Sequence, residues 1–138
     1  MSKHYQDIPC ETSARYHLQR LNLEEPIRLN AKVLLQGPIS TLKTEKKYEF
    51  AIDFTNDPYY GGTDPSNENY VIRGQAKKST NSFYSYASLS IINKNERFTI
   101  SVLPVERSET KTNYLAYFID LIRNLDLKIK VLCFDREF

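Results

Sequence analysis

Apolar and polar residues alternate with a period of two in four stretches of the chain, and this period predicts β-strands. The predicted strands cover residues 48–55, 86–92, 96–102 and 128–135. The second and third strands form a predicted hairpin, because residues 93–95 between them are Asn-Lys-Asn and Asn tolerates a positive φ. We expect the hairpin strands to pair antiparallel beside the first strand.

Apolar residues three or four positions apart predict helices in three other stretches. Residues 11–21 form a weakly amphipathic helix with Thr12 or Ser13 as its cap, and a second helix runs from Pro26 to near Gly37. Residues 111–125 form the strongest predicted helix, capped by Thr110 or Thr112, with a buried face of Leu115, Phe118, Ile119, Ile122 and Leu125.

The order of these elements predicts the fold class. Residues 48–138 read as strand, hairpin, helix, strand, and a helix that returns the chain to a parallel strand makes a right-handed crossover. We therefore expect the last strand to lie parallel and adjacent to the first strand. The prediction is an α/β fold with a mixed sheet, preceded by a helical accessory region at residues 1–47.

An aspartate follows the apolar residues of the first strand and of the last strand. These residues are Asp53 and Asp135. If the two strands are parallel neighbours, both carboxylates lie at the same edge of the sheet, where they would suit Mg²⁺ or Mn²⁺. The alternative is that each aspartate only caps a strand or opens a turn.

Aromatic and basic residues are concentrated between the first two predicted strands. The segment from Asn56 to about Arg73 is dense in turn formers and predicts a long loop. Tyr59 and Tyr60 could stack on nucleic-acid bases, or they could pack the loop against the protein. Arg73, Lys77 and Lys78 precede an aromatic run, a pattern that suits nucleic-acid contact but also describes solvated residues at the start of a strand.

Composition narrows the function only slightly. The 19 basic and 17 acidic side chains nearly balance, so net charge does not argue for nucleic acid. Cys10 and Cys133 are too few for a zinc motif, and Cys133 is predicted to be a buried core residue. The chain opens without a signal peptide and has no apolar run near the ~20 residues of a membrane span, which predicts a cytoplasmic protein without a membrane partner.

Three parts of the chain resemble the DDE transposases of bacterial and archaeal insertion sequences. The resemblance covers residues 48–138 and depends on the order, spacing and composition of its segments. These segments are AIDFT (51–55) followed by PYYG (58–61), KKST (77–80) with Phe83 and Tyr86, and LCFDREF (132–138).

The resemblance implies an RNase H-like catalytic domain that cleaves transposon ends and joins them to target DNA. Asp53 would be the first catalytic acid and Asp135 the second, together holding Mg²⁺ or Mn²⁺. Family members carry a third acid, usually Glu, on a later helix, and Glu137 is a poor geometric substitute for it. The expectation is therefore a partial RNase H-like fold in the amino-terminal part of a transposase, inactive alone and prone to self-association.

Other interpretations stay open. The chain could be a non-catalytic nucleic-acid-binding module in which Arg73, Lys77, Lys78 and the tyrosines bind and the aspartates are structural. It could also be an RNase H-like nuclease or resolvase that shares the acids, or a remnant reading frame without a present function.

Overall fold

The computed structural model describes residues 10–18, 24–39, 42–93 and 96–134, which form three helices and one mixed sheet of five strands. This confirms the predicted α/β class with a mixed sheet. The helices are α1 (Glu11–Leu18), α2 (Glu24–Ile39) and α3 (Lys111–Asn124). The strands are β1 (Lys47–Pro58), β2 (Val71–Lys77), β3 (Thr80–Asn93), β4 (Glu96–Pro104) and β5 (Lys128–Phe134).

β1 lies inside the sheet, with β3 on one side and β5 on the other. It pairs antiparallel with β3 and parallel with β5. β4 pairs antiparallel with the carboxyl-terminal half of β3, on the edge opposite to β1. The predicted hairpin and the parallel last strand are therefore confirmed, whereas residues 94–95 of the hairpin turn lie outside the described residues.

β2 was not predicted, because the sequence indicated a loop that continues to about Arg73. The structure instead ends β1 at Pro58, begins β2 at Val71, and starts β3 at Thr80 rather than at residue 86. Only Val71 is buried among the residues of β2, so the strand lacks the apolar alternation that marks the other strands. Its pairing with the amino-terminal end of β3 defines it, with an irregular register between Arg73 and Lys77.

The hydrophobic core lies between one face of the sheet and α3. Phe50 and Ile52 of β1 are buried there with Leu89 of β3 and with Phe118 and Ile122 of α3. Fully burying one such side chain contributes about 1.5–3 kcal/mol of transfer free energy. These contacts hold β1 against the helix that connects β4 to β5.

α3 begins where the sequence predicted, at the cap residue Thr110. The Thr110 hydroxyl accepts a hydrogen bond of 3.3 Å from the backbone N–H of Asn113. Its buried residues are Tyr114, Phe118 and Ile122, of which Phe118 and Ile122 were predicted and Tyr114 was not. The other predicted members of this face are only partly buried, namely Leu115, Ile119 and Leu125. The capping residue and the apolar spacing both indicate a helix over the same residues, which explains why this helix was the clearest in the sequence.

The region before β1 contacts the same core. Leu35 of α2 and Leu42 after it pack against the buried cluster. The Tyr48 hydroxyl accepts a 2.8 Å hydrogen bond from the backbone N–H of Lys43, which fixes the entry of the chain into β1. α2 extends through Gly37 and Pro38, two residues at which the sequence predicted its end.

Cys133 is exposed, so the prediction that it is a buried core residue was wrong. Cys133 pairs with Ala51 in the β1–β5 ladder. Ala51 lies between Phe50 and Ile52, so alternation directs both residues to the sheet face away from α3. An apolar period shows which residues share a face, but it does not show whether anything covers that face.

Within the described part of the chain, no helix combines the length and the apolar character needed to cross a membrane.

Tyr114 offers a test of how α3 is attached to the end of β4. Its hydroxyl accepts a 2.8 Å hydrogen bond from the backbone N–H of Glu106 and lies 3.3 Å from the Pro104 carbonyl oxygen, to which it donates. We expect Tyr114→Phe to lower the free energy of unfolding by about 0.5–1.5 kcal/mol in urea denaturation, because both hydrogen bonds are lost. Tyr117→Phe on the exposed side of α3 is the control and should change it by less than ~0.5 kcal/mol.

Tyr114→Phe should also change how the free energy of unfolding depends on pH in alkaline solution. Burial raises the pKa of the Tyr114 phenol, because desolvation disfavours the phenolate. The associated stability is present below the unfolded pKa of about 10 and is lost as pH rises through the higher folded pKa. Tyr114→Phe should therefore flatten the fall in stability above about pH 10, and an unchanged slope would contradict this role.

Candidate functional site

Asp53 lies on the face of the sheet opposite to α3. It follows Ile52, whose side chain is in the core, so strand alternation directs Asp53 the other way. In the β1–β3 ladder Asp53 is opposite Ser88. Its side chain is 40% exposed. The carboxylate thus avoids most of the burial cost that an acid inside an apolar strand would otherwise have.

Arg97 of β4 provides the positive charge nearest to this carboxylate in the described structure. Its Nη2 atom lies 3.7 Å from Asp53 Oδ2, and the Arg97 side chain is 51% exposed. A single contact between two partly exposed groups stabilises a fold by only about 0–1 kcal/mol. Sequence reasoning missed Arg97, although Arg97 and Thr99 alternate with the apolar residues of β4 and so were predictable members of its polar face.

Small polar side chains surround Asp53 on this face. Ser88 is its neighbour on β3, and Ser90 follows two residues later on the same face. The Ser90 Oγ and Thr99 Oγ1 atoms are 3.2 Å apart and share a hydrogen bond between β3 and β4. Short side chains leave the Asp53 carboxylate accessible to a ligand.

The second predicted acid, Asp135, lies outside the described residues. The parallel register of β1 and β5 extends from Lys47 opposite Lys128 to Ile52 opposite Phe134. Asp53 and Asp135 are each the next residue after this last pair. Residues 10–18, 24–39, 42–93 and 96–134 contain no group of three or more His, Cys, Asp or Glu side chains that could hold a metal ion.

Tyr59 packs the loop after β1 against the sheet. Its ring centroid lies 4.6 Å from that of Tyr84, and its hydroxyl donates a 2.8 Å hydrogen bond to the Gly62 carbonyl oxygen. Asn67 Nδ2 donates to the same hydroxyl at 3.1 Å. Burial raises the pKa of the Tyr84 phenol, and its hydrogen bond with Tyr59 raises this pKa further. The contacts of Tyr59 are those of a residue that orders the loop.

Asp64 orders the next part of this loop. Its Oδ1 atom accepts hydrogen bonds from the backbone N–H of Ser66 at 2.8 Å and from the Ser66 hydroxyl. These hydrogen bonds lower the pKa of the Asp64 carboxyl, because they favour its ionised form. Sequence reasoning did not select Asp64, although Asp followed by Pro and Ser is typical of such turns.

The three basic residues predicted to contact nucleic acid have different environments. Arg73 Nη1 donates 2.8 Å hydrogen bonds to Asn81 Oδ1 and Ser82 Oγ, so it joins β2 to β3. Lys77 and Lys78 lie at the tip of the β2–β3 hairpin and line a pocket beside the end of β1.

Tyr60 lies next to this tip. Its hydroxyl donates a 2.8 Å hydrogen bond to the Lys78 carbonyl oxygen, and the residue is 67% exposed. The structure thus brings Tyr60 next to Lys78, which lines the pocket together with Lys77.

Comparisons of this chain with protein-family models, with curated proteins and with solved structures found no match. The likeness to DDE transposases therefore stays a prediction from the sequence of residues 48–138. The observations that bear on function are the contacts of Asp53 and of the hairpin tip.

Gly61 is the residue on which the packing of Tyr59 depends. A Cβ atom at Gly61 would lie 2.5 Å from Tyr59 Cζ, whereas a Cβ atom at Gly62 would meet nothing within 4 Å. We expect Gly61→Ala to displace the Tyr59 ring and to lower the free energy of unfolding by about 1–3 kcal/mol in urea denaturation. Gly62→Ala is the matched control and should change it by less than ~0.5 kcal/mol, and equal effects of the two substitutions would contradict this role of Gly61.

Proposed function

We propose that this chain is part of the RNase H-like catalytic domain of a DDE transposase, which cleaves DNA strands and transfers them. The supporting observation is the parallel pairing of β1 with β5. Asp53 of β1 and Asp135 are each the next residue in sequence after Ile52 and Phe134, the last described pair of this ladder. A helix, α3, connects the β3–β4 hairpin to β5, as the resemblance implies.

The proposal assigns a divalent metal to Asp53 and Asp135. The described residues supply only Asp53, so the site requires the second acid as well. Carboxylate oxygens are ligands that Mg²⁺ and Mn²⁺ prefer, and such an ion, when bound, supplies Lewis-acid activation of a phosphodiester. In this protein Asp53 would exchange a weak contact with Arg97 for the ion, and the exposed position of Asp53 allows that exchange.

Mn²⁺ binding tests this assignment. Removing the guanidinium 3.7 Å from Asp53 in Arg97→Gln should tighten Mn²⁺ binding about three- to tenfold, because a repelling charge is lost. Asp53→Asn should abolish that binding, as measured by electron paramagnetic resonance of free Mn²⁺. Asp57→Asn, four residues further along β1 and exposed, is the control and should leave the affinity unchanged.

If Arg97→Gln lowers only the stability and leaves the Mn²⁺ affinity unchanged, the ion pair is structural and the metal assignment is wrong. Nicking of supercoiled DNA in Mn²⁺ provides a second readout. The proposal expects little nicking by this chain alone, and robust nicking that survives Asp53→Ala would exclude Asp53 as a catalytic acid.

The Arg97–Asp53 ion pair favours a second candidate, a non-catalytic nucleic-acid-binding module. In that case Arg97 compensates Asp53, and binding depends on the basic residues of the hairpin. Asp53→Asn would then preserve or improve DNA affinity, because a negative charge is removed, and Mn²⁺ would have no effect. An RNase H-like nuclease shares the acids of the transposase proposal and differs from it in acting on branched or hybrid substrates.

The outer edge of β5 suggests that two copies of the chain associate. β5 pairs only with β1 among the described strands. Ile129, Val131 and Phe134 are 40%, 43% and 42% exposed. An antiparallel pair of β5 strands centred on Val131 would place Lys128 opposite Phe134 and Lys130 opposite Leu132, so that no lysine faces a lysine. Unpaired apolar edges of this kind associate readily.

We expect a concentration-dependent dimer in sedimentation velocity experiments. Val131→Lys should shift it to monomer, because two charges would meet at the centre of the pair. Tyr117→Lys, which places the same charge on the exposed side of α3, should leave the dimer intact. A monomeric wild-type chain with a sharp unfolding transition in calorimetry would contradict the association.

A further inference from the structure

A pocket lies where the tip of the β2–β3 hairpin meets the end of β1. Its volume is about 330 Å³, at the lower end of the range of small-ligand pockets. The described lining residues include two lysines and no acidic residue, which favours an anionic ligand. The lining residues are Phe54, Thr55, Asn56 and Pro58 of β1, Phe83 of β3, and Lys77 and Lys78.

Neither lysine is neutralised by an acid in the described part of the chain. The ion pairs found there involve Arg97, Arg107, Arg123 and Lys130, and none includes Lys77 or Lys78. Two adjacent positive charges at one rim therefore attract an anion, and no carboxylate of the described residues forms an ion pair with either of them.

A hydrogen-bond donor of β1 complements the two charges. The Ser85 hydroxyl donates a 2.6 Å hydrogen bond to Asn56 Oδ1, so the amide oxygen of Asn56 is occupied as an acceptor. The Nδ2 group of Asn56 is the donor that this strand brings to the pocket. Phosphate oxygens only accept hydrogen bonds when ionised, and so they match a lining of ammonium and amide donors.

The turn that carries the lysines has an unusual backbone. Lys78 and Ser79 have φ angles of 49° and 66°, as in the type I′ turns that usually contain Gly or Asn. Such conformations persist where surrounding contacts fix them, often at ligand sites. Here Tyr60 Oη donates to the Lys78 carbonyl oxygen and Thr80 Oγ1 donates to the Tyr59 carbonyl oxygen, each at 2.8 Å. The tip is thus positioned before any ligand binds.

Tyr60 adds a surface for a base beside the phosphate pocket. Its hydroxyl is anchored to the turn, while the residue as a whole is 67% exposed. Exposed aromatic rings next to basic residues are the platforms on which unpaired bases stack in single-strand-binding proteins.

We propose that this pocket binds one backbone phosphate of a single-stranded nucleic acid, with Tyr60 stacking on an adjoining base. Lys77 and Lys78 provide the charge, and Asn56 provides a hydrogen bond. The choice of DNA as the polymer rests on the proposed function. The pocket itself does not include Asp53 or Asp135, the acids of that proposed function.

Fluorescence anisotropy of a short labelled single-stranded DNA tests the two lysines. Lys77→Gln with Lys78→Gln should weaken binding about tenfold and reduce the slope of log affinity against log salt by about 1. Lys43→Gln with Lys47→Gln is the control, since it removes the same charge at exposed positions before and at the start of β1. The control should weaken binding by less than about twofold, and equal losses in the two double variants would overturn the proposal.

Tyr60 is tested with two substitutions that separate its ring from its hydroxyl. Tyr60→Ala removes the stacking surface and the anchor, and should weaken binding about tenfold. Tyr60→Phe keeps the ring and should weaken it about two- to threefold, because only the anchor of the turn is lost. An equally large loss in Tyr60→Phe would show that the ring does not stack, and would contradict that part of the proposal.

Adenosine monophosphate and inorganic phosphate distinguish a nucleic-acid strand from a small phosphorylated molecule. We expect both to compete only weakly with the labelled DNA at constant ionic strength. If adenosine monophosphate binds tightly and the lysine substitutions abolish this binding, the pocket is a small-molecule site and the proposal of a nucleic-acid ligand is wrong. The two proposals can fail separately. If the lysine substitutions weaken DNA binding but Asp53→Asn leaves Mn²⁺ binding unchanged, the phosphate pocket is supported and the metal assignment is wrong.

Discussion

β1 can bury only one of its two faces, and this constraint organises the molecule. Phe50 and Ile52 are in the core beneath α3, so Asp53 must lie on the other face. β1 also has a neighbour along each edge, β3 antiparallel and β5 parallel. The carboxylate of Asp53 is therefore held in place by the pairing of β1 with β3, just past the last described pair with β5, while it keeps contact with solvent.

The elements that the sequence predicted well are those whose pattern is enforced by burial. β1, the β3–β4 hairpin and α3 all place apolar residues against one core, so their periods of two and 3.6 residues were readable. β2 has one buried residue and is defined by pairing with β3, which a hydrophobic pattern cannot reveal. Cys133 was misjudged for a related reason, since the pattern of β5 could not show that most of its side chains are exposed.

The candidate site was predictable only where one residue stood out from its own strand. Asp53 did so as a carboxylate in an apolar run. Its contact with Arg97 spans three strands and depends on the β3–β4 register, which is interrupted between Leu89 and Ser90. The hydrogen bond from Tyr60 to Lys78 joins residues 18 positions apart and depends on a turn with positive φ angles. Such contacts follow from tertiary geometry, which no local pattern encodes.

The Arg97–Asp53 contact has two interpretations, a structural ion pair and a metal ligand held in waiting by an arginine, and its weakness makes them compatible. A buried, bidentate ion pair would hold the carboxylate and oppose a metal ion, because breaking it would leave a desolvated charge. Here both side chains are about half exposed and meet through one contact of 3.7 Å, which a divalent ion can displace at little cost. The ion pair therefore accounts for the acid in the free protein without excluding a ligand there. Asn56 of the proposed phosphate pocket follows three residues later, about 10 Å along the same strand, and strand alternation directs it to the face opposite to Asp53. The pocket and the acid thus lie on different faces of one strand, so the two sites are separable by substitution.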